Sequence, residues 1–166
     1  MSASATTIPY KDKSKFYNEL CSEASGIAEK EWFVNLANFA ALLKQHLPKI
    51  NWVGFYLAHN GELLLSSFQG LPACTRIALG KGVCGTAARS MESIIVPDVD
   101  QFPGHIVCDS ASRSEIVLPL IKDGNLLGVL DIDSPVLARF TEEDRVGLQK
   151  LTEILVTKSQ WPQSFT

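Results

Sequence analysis

A chain of 166 residues, 46% hydrophobic and 20% charged, has the composition of one ordinary soluble domain and is too apolar to be disordered. Its net charge of -3 argues against a nucleic-acid partner, since phosphate binding is driven by clustered Lys and Arg. No uninterrupted apolar run approaches the ~20 residues of a membrane helix, so no membrane association is expected.

The opening Met1-Ser-Ala-Ser-Ala-Thr-Thr7 has no apolar core of a leader, which gives a cytoplasmic expectation. In a reducing compartment, the four cysteines are then free, catalytic or metal-binding rather than structural disulfides. Residues 1–13 read as a polar tail, 14–160 as one domain and 161–166 as a C-terminal tail.

Residues 14–30 carry Phe16, Leu20, Ala24 and Ile27 at helical spacing. Residues 31–47 repeat the pattern with Trp32, Leu36, Phe39, Ala40, Leu43 and Leu47, and Pro48 ends it. Residues 51–57 are rich in aromatic and β-branched types and predict a strand. Asn60-Gly61 tolerates positive φ at both positions and predicts a hairpin whose return strand is 62–68. The glycine-rich middle, 70–114, holds three of the cysteines, with a short helix expected near 83–89 and a strand near 93–96. The long 97–114 connection has the length of a functional lid or binding loop. A second hairpin follows, 115–121 and 125–133 about Asp123-Gly124. Thr141-Glu-Glu-Asp144 then opens a last helix with Gly147, Leu151, Ile154 and Leu155 facing inward. Helices around antiparallel hairpins define an α+β domain.

In the second hairpin, Glu115, Val117, Pro119 and Ile121 share a strand face, as do Leu127, Val129, Asp131 and Asp133 on the return strand. A plain two-residue turn sets Glu115 opposite Ile132. A three-residue loop with a bulge sets it opposite Asp131, gathers three carboxylates on one face and is the favoured register. Crowded, buried carboxyls repel one another, so at least one pKa rises into the range of a neutral-pH proton donor. The plainer alternative is a solvated strand end.

Cys21 lies on the first helix and reads as a small core hydrophobe. Cys74, Cys84 and Cys108 sit in the irregular middle, and Cys84 in Gly82-Val-Cys-Gly85 falls at a helix start, where free amides lower a thiol pKa. No cysteine pair has the close spacing of zinc ligands, and His105 with Cys108 is the only local pair, so no metal is expected. Gly80-Lys-Gly82 with Gly85-Thr86 lacks the order of a nucleotide-phosphate loop. His46 reads as a solvated helix end, His59 as part of a turn, and His105 as a loop residue able to assist chemistry.

Asn51-Trp-Val-Gly-Phe-Tyr56, Gly80-Lys-Gly-Val-Cys-Gly-Thr86, Phe102-Pro-Gly-His-Ile-Val-Cys-Asp109, Ser114-Glu-Ile-Val-Leu-Pro-Leu120 and Leu130-Asp-Ile-Asp-Ser134 closely resemble the free methionine-R-sulfoxide reductases, enzymes built on a GAF domain. The resemblance runs from the first helix to the end of the last. It implies Cys108 as the catalytic thiol, Cys84 as the principal resolving thiol and Cys74 as a further one. It also implies Glu115 or Asp133 as proton donor and Glu115, Asp131 and Asp133 as pocket carboxylates. Trp52 and Tyr56 match the enclosure of the substrate's methyl group. Amides around Ile106 and Val107 are expected to hold the sulfoxide oxygen or the substrate carboxylate. The implied cycle passes through a sulfenic acid and a disulfide, needs no bound cofactor, and is recycled by thioredoxin; the likeness also suggests a homodimer. Two readings compete: a ligand-sensing GAF domain without catalysis, and a redox-sensing interaction module.

Overall fold

A computed structural model of the chain describes residues 9–163; the opening 1–8 and the closing 164–166 lie outside the described residues. The two N-terminal apolar stripes form α1 (Lys13–Ile27) and α2 (Trp32–His46), burying Phe16, Leu20 and Ala24 on the first and Leu36, Phe39, Ala40 and Leu43 on the second. Asp12 caps α1 by accepting from Lys15 N at 3.0 Å. The last helix, labelled α4 (Glu142–Lys158), begins where expected, with the Thr141 amide donating to the Asp144 carboxylate at 2.8 Å. Gly147 lets α1 and α4 touch: a Cβ there would lie 2.1 Å from the Tyr17 ring.

Between these helices run β1 (Trp52–His59), β2 (Glu62–Gln69), β3 (Arg76–Ala78), α3 (Gly82–Ser90), β4 (Ile94–Val96), β5 (Ser114–Lys122) and β6 (Asn125–Ser134). The strands form one antiparallel sheet in the order β3-β2-β1-β6-β5-β4, an α+β architecture. The three-residue β3 is too short to leave a sequence period. Asn60-Gly61 and Asp123-Gly124 both take positive φ at both positions, as two-residue hairpin turns require.

The second hairpin departs from the expected register. Its turn has two residues, and Leu120 pairs with Gly128 while Ile121 pairs with Leu126, so Leu127 is the extra residue of a bulge. The register shifts by one in the direction opposite to that expected: Glu115 faces Asp133, and Val117 faces Asp131. The three carboxylates still share a face. Leu127 changes face and joins Ile116 and Leu118 in the core.

One sheet face carries α1, α2 and α4 over the main core. The other carries α3, whose Val83 and Ala87 pack over Trp52, Tyr56, Val117 and Val129. The long connection after β4 contains a single 3-10 turn (Val99–Gln101) before β5 begins. Tyr10 and Trp161, read as tail residues, pack on the domain: Tyr10 meets Phe16 edge-on at 4.8 Å, and Trp161 stacks on Trp32 at 5.7 Å. His46 is not solvated; it is buried and pairs with Glu23 at 3.0 Å. Cys21 is half-buried against the main core, as expected. Among the described residues, no helix is long and apolar enough to cross a membrane.

Candidate active site

Alternation along β1 places Trp52 and Tyr56 on the face under α3. Gly54 lies between them, where a Cβ would come within 2.6 Å of the Trp52 ring and 2.4 Å of Phe68 Cβ. The bare position lets Trp52 lie flat on Phe68, with centroids 5.4 Å apart, and lean toward Tyr56 at 6.0 Å. Both polar handles are used: Trp52 Nε1 donates to Leu71 O at 3.0 Å, and the Tyr56 hydroxyl donates to Cys74 O at 2.9 Å. The aromatic pair therefore ties the 70–75 connection to the sheet.

Cys74 on that connection is joined to Cys108 by a disulfide, with Cα atoms 5.5 Å apart and both residues half-buried at the rim of a cleft. The Cys108 loop is anchored by its neighbour, Asp109. Asp109 accepts from Ala111 N at 2.8 Å and from Asn51 Nδ2 at 2.9 Å, and the same amide group donates to Ser112 Oγ at 3.1 Å. Asn51 N donates to Asp133 O at 3.0 Å, which fixes the anchor to β6. Across the cleft, Gly82 has φ +60° and a Cβ there would crowd Ile106 at 3.1 Å, so glycine brings the Ile106 loop down onto α3. The resolving role that the sequence reading gives first to Cys84 meets a different pairing here: Cys108 is bonded to Cys74, and Cys84 is a free, buried thiol.

Cys84 sits at the third position of α3, yet its pKa is pushed well above its ordinary value. Burial is the main cause, followed by the charges of Asp131, Glu115 and Asp133. This reverses the expectation from the helix start. A helix terminus contributes about 0.3–1 kcal/mol, whereas full burial can move a pKa by ~3–5 units. The thiol lies 3.9 Å from Glu115 Oε1, to which it donates.

The three carboxyls all titrate high. Burial, then the charges of Asp131 and Asp133, pushes Glu115 well up. Burial, then the charges of Asp131 and Asp109, does the same to Asp133. Asp131 is raised by burial to about 6, its rise limited by hydrogen bonds from Glu115 and Cys84. At neutral pH Asp131 is therefore the carboxyl free to ionise, while burial and the neighbouring charges favour the protonated forms of Glu115 and Asp133. Asp131 Oδ1 is buried and, among the described residues, has no hydrogen-bond partner. A buried acceptor left unpaired beside a cleft is a place for an incoming donor or cation.

The cleft, about 40 Å³ in this disulfide form, is lined by Trp52, Tyr56, Cys84, Cys108, Glu115, Asp131, Asp133 and Ile106, gathering nearly all the sequence-predicted site residues. Two do not line it: Cys74, which reaches the site through its bond to Cys108, and Val107, whose side chain is 66% exposed. The amides of Ile106 and Val107 take no part in the backbone hydrogen bonds of their loop. His105 joins the site, with Nε2 3.8 Å from Glu115 Oε2, and burial lowers its pKa, keeping the ring neutral at pH 7. Sequence reasoning missed Asn51, Ser112, Asp109 and Lys81. Asn51 and Asp109 stand in recognisable segments, but nothing local marks a contact made across 58 residues.

Residues 36–156 match the family model described as GAF domain. The chain is 48% identical over 142 residues to the free methionine-R-sulfoxide reductase of Escherichia coli (strain K12), covering 84% of this chain and 86% of that protein. It is 51% identical over 148 residues to Protein YtsP of Bacillus subtilis (strain 168), covering 87% and 91%. The free methionine-R-sulfoxide reductase of Neisseria meningitidis, solved in complex with its substrate, superposes with a TM-score of 0.88 at 45% identity, covering 94% of this chain and 95% of that one.

Proposed function

The chain belongs to the GAF domain family, among the free methionine-R-sulfoxide reductases, and from that premise we propose that it reduces free L-methionine R-sulfoxide to methionine. The observation that carries the reading is the Cys74–Cys108 disulfide, set at the mouth of a cleft that holds the buried Glu115 and Asp131 and the half-buried Asp133. The reduced Cys108 attacks the sulfoxide sulfur while a proton from Glu115 or Asp133 goes to the oxygen. The oxygen ends on Cys108 as a sulfenic acid, and methionine leaves reduced by two electrons. Cys74 then attacks the Cys108 sulfur, water departs and the disulfide forms. An external dithiol of the thioredoxin type returns two electrons by exchange at this half-buried bond, in a reducing cytoplasm.

Selectivity for the free amino acid follows from Asp131. Its ionised, unpartnered oxygen pairs with the α-ammonium, a group that a methionine within a protein lacks. Trp52 and Tyr56 enclose the methyl end, and the amides of Ile106 and Val107 serve the sulfoxide oxygen. Cys84 acts through its hydrogen bond to Glu115 rather than as the first resolving thiol.

The test couples purified protein to thioredoxin, thioredoxin reductase and NADPH, with free methionine S- or R-sulfoxide. Turnover confined to the R epimer is expected; no turnover with either epimer ends the reading. Cys108→Ser should release no methionine in a single turnover, whereas Cys74→Ser should release one equivalent and fail to recycle. Recycling lost in Cys84→Ser but kept in Cys74→Ser would reverse the pairing.

A further inference from the structure

Cys84 takes no part in the disulfide, and one donor atom from each of Cys84, Glu115 and Asp131 lies within 4.8 Å of the other two. All three side chains are buried, and among the described residues none pairs with a lysine or arginine. Among the described residues, Asp131 Oδ1 has no hydrogen-bond partner. From the loop above, His105 brings Nε2 to 3.8 Å from the second Glu115 oxygen. We infer that Cys84, Glu115 and Asp131 form a binding site for one borderline-soft divalent cation of the Zn2+ class, and that an ion held there blocks the seat of the substrate's ammonium.

The donor set decides the class. A thiolate with two carboxylates suits Zn2+, which accepts three protein ligands and a water at about 2.0–2.3 Å. Ca2+ and Mg2+ prefer six or more oxygens and find too few here. On coordination, Cys84 and Glu115 give up their protons to solvent, so that anionic ligands face the dication and mutual repulsion becomes shared attraction. The sequence hides the site because its ligands come from α3, β5 and β6, whereas zinc motifs are recognised by close spacing. Cation binding stands on this geometry alone. The inhibitory consequence rests on the reductase reading, through Asp131.

The disulfide form gives a clean test, because Cys21 and Cys84 are then the only thiols. Co2+ titrated into it should give, at one equivalent, a sulfur-to-metal charge-transfer band that Zn2+ abolishes by displacement. The band should persist in Cys21→Ser and vanish in Cys84→Ser. Asp131→Asn, as a second variant, should bind more weakly by at least the roughly 10- to 100-fold that loss of an outer-shell partner costs. A retained disulfide and a cooperative melting transition no lower than the parent's show that the variants fold. No thiolate band, or one that survives Cys84→Ser, overturns the site. Free methionine should raise the apparent Kd for Co2+, and a Kd indifferent to methionine overturns the inhibitory half. A normal band in a protein with no sulfoxide turnover would instead remove the reductase reading and leave the site standing.

Discussion

Two groups of buried acid stand on opposite sides of the sheet, and the chain treats them in opposite ways. Asp144, at the start of α4, is fully buried, yet it accepts from Lys13 Nζ at 2.7 Å, from the Tyr17 hydroxyl at 2.7 Å, from the Thr141 amide at 2.8 Å and from Tyr10. Arg139 stands 3.6 Å away. Burial alone would raise its pKa, but the hydrogen bonds outweigh burial and hold the carboxyl below its ordinary value. In the other group Glu115 and Asp131 are buried and Asp133 is half-buried, and burial raises all three, with neighbouring carboxylates adding to the rise of Glu115 and Asp133. The fold can neutralise a buried carboxylate when it supplies the donors. On the reactive face the donors are too few to offset burial, and among the described residues no lysine or arginine pairs with the group, which leaves room for a ligand's charge and keeps protons available.

The largest expected difference is in stability. Asp144→Ala leaves Lys13 and Arg139 without their partner and should lower unfolding free energy by about 3–5 kcal/mol. Asp131→Asn should leave stability within about 1 kcal/mol of the parent or raise it, since it removes a repelling charge. The same variant should lose kcat/KM for free methionine sulfoxide by roughly 30-fold or more, because a buried charge pair costs about 2–5 kcal/mol when one partner goes. Denaturant titrations of both variants beside steady-state kinetics check this. Equal destabilisation by the two would erase the distinction.

Much of this contrast is legible in the sequence, and the illegible part has a physical reason. Apolar period and turn chemistry mark α1, α2, α4 and both hairpins, because each depends on neighbours within a few residues. Asp144 is recognisable as the far end of a capping box, but Tyr10, in an apparent tail, gives no sign that it completes the cage. The shared face of Glu115, Asp131 and Asp133 follows from alternation once a one-residue shift is granted. The direction of that shift depends on where a bulge forms, and Leu127 carries no local mark of it. Cys84 is the sharpest case: its place at a helix start is visible, while the three acids that overrule the helix arrive from other strands.

Acid titration should separate the two groups by sign. Folding raises Asp131 from 3.8 to about 6, a change worth about 3 kcal/mol. The folded chain therefore holds this proton more tightly than the unfolded chain. Its contribution to stability is fully present below pH 3.8, is lost as pH rises toward 6, and stays lost above. Asp144 behaves oppositely: its contribution is present above pH 3.8 and is lost as pH falls through its depressed folded value. Moving from pH 7 to pH 4.5 should therefore stabilise the parent relative to Asp131→Asn, as read by urea unfolding with the disulfide intact. A difference that does not change with pH would mean that Asp131 already finds a counter-charge in the folded chain. In kinetics, the acid limb of kcat/KM near pH 6 should disappear in Asp131→Asn.

The smallest effect asks whether the reactive region is held in place by its rim rather than by its acids. The Tyr56 hydroxyl is pushed up in pKa by burial and then by the charge of Asp131, so it stays protonated and donates to Cys74 O at 2.9 Å. Tyr56→Phe keeps the ring against Trp52 and removes one hydrogen bond, a loss of about 1 kcal/mol. If that bond positions Cys74, the first release of methionine should be unchanged and disulfide formation should slow by about fivefold, the rate equivalent of that energy. Rapid quenching with mass detection of the Cys74–Cys108 bond reads both steps in one experiment. An equal fall in the first step would place the hydroxyl on the substrate, and the comparison would then gain Tyr56 as a fourth protonated group on the reactive side.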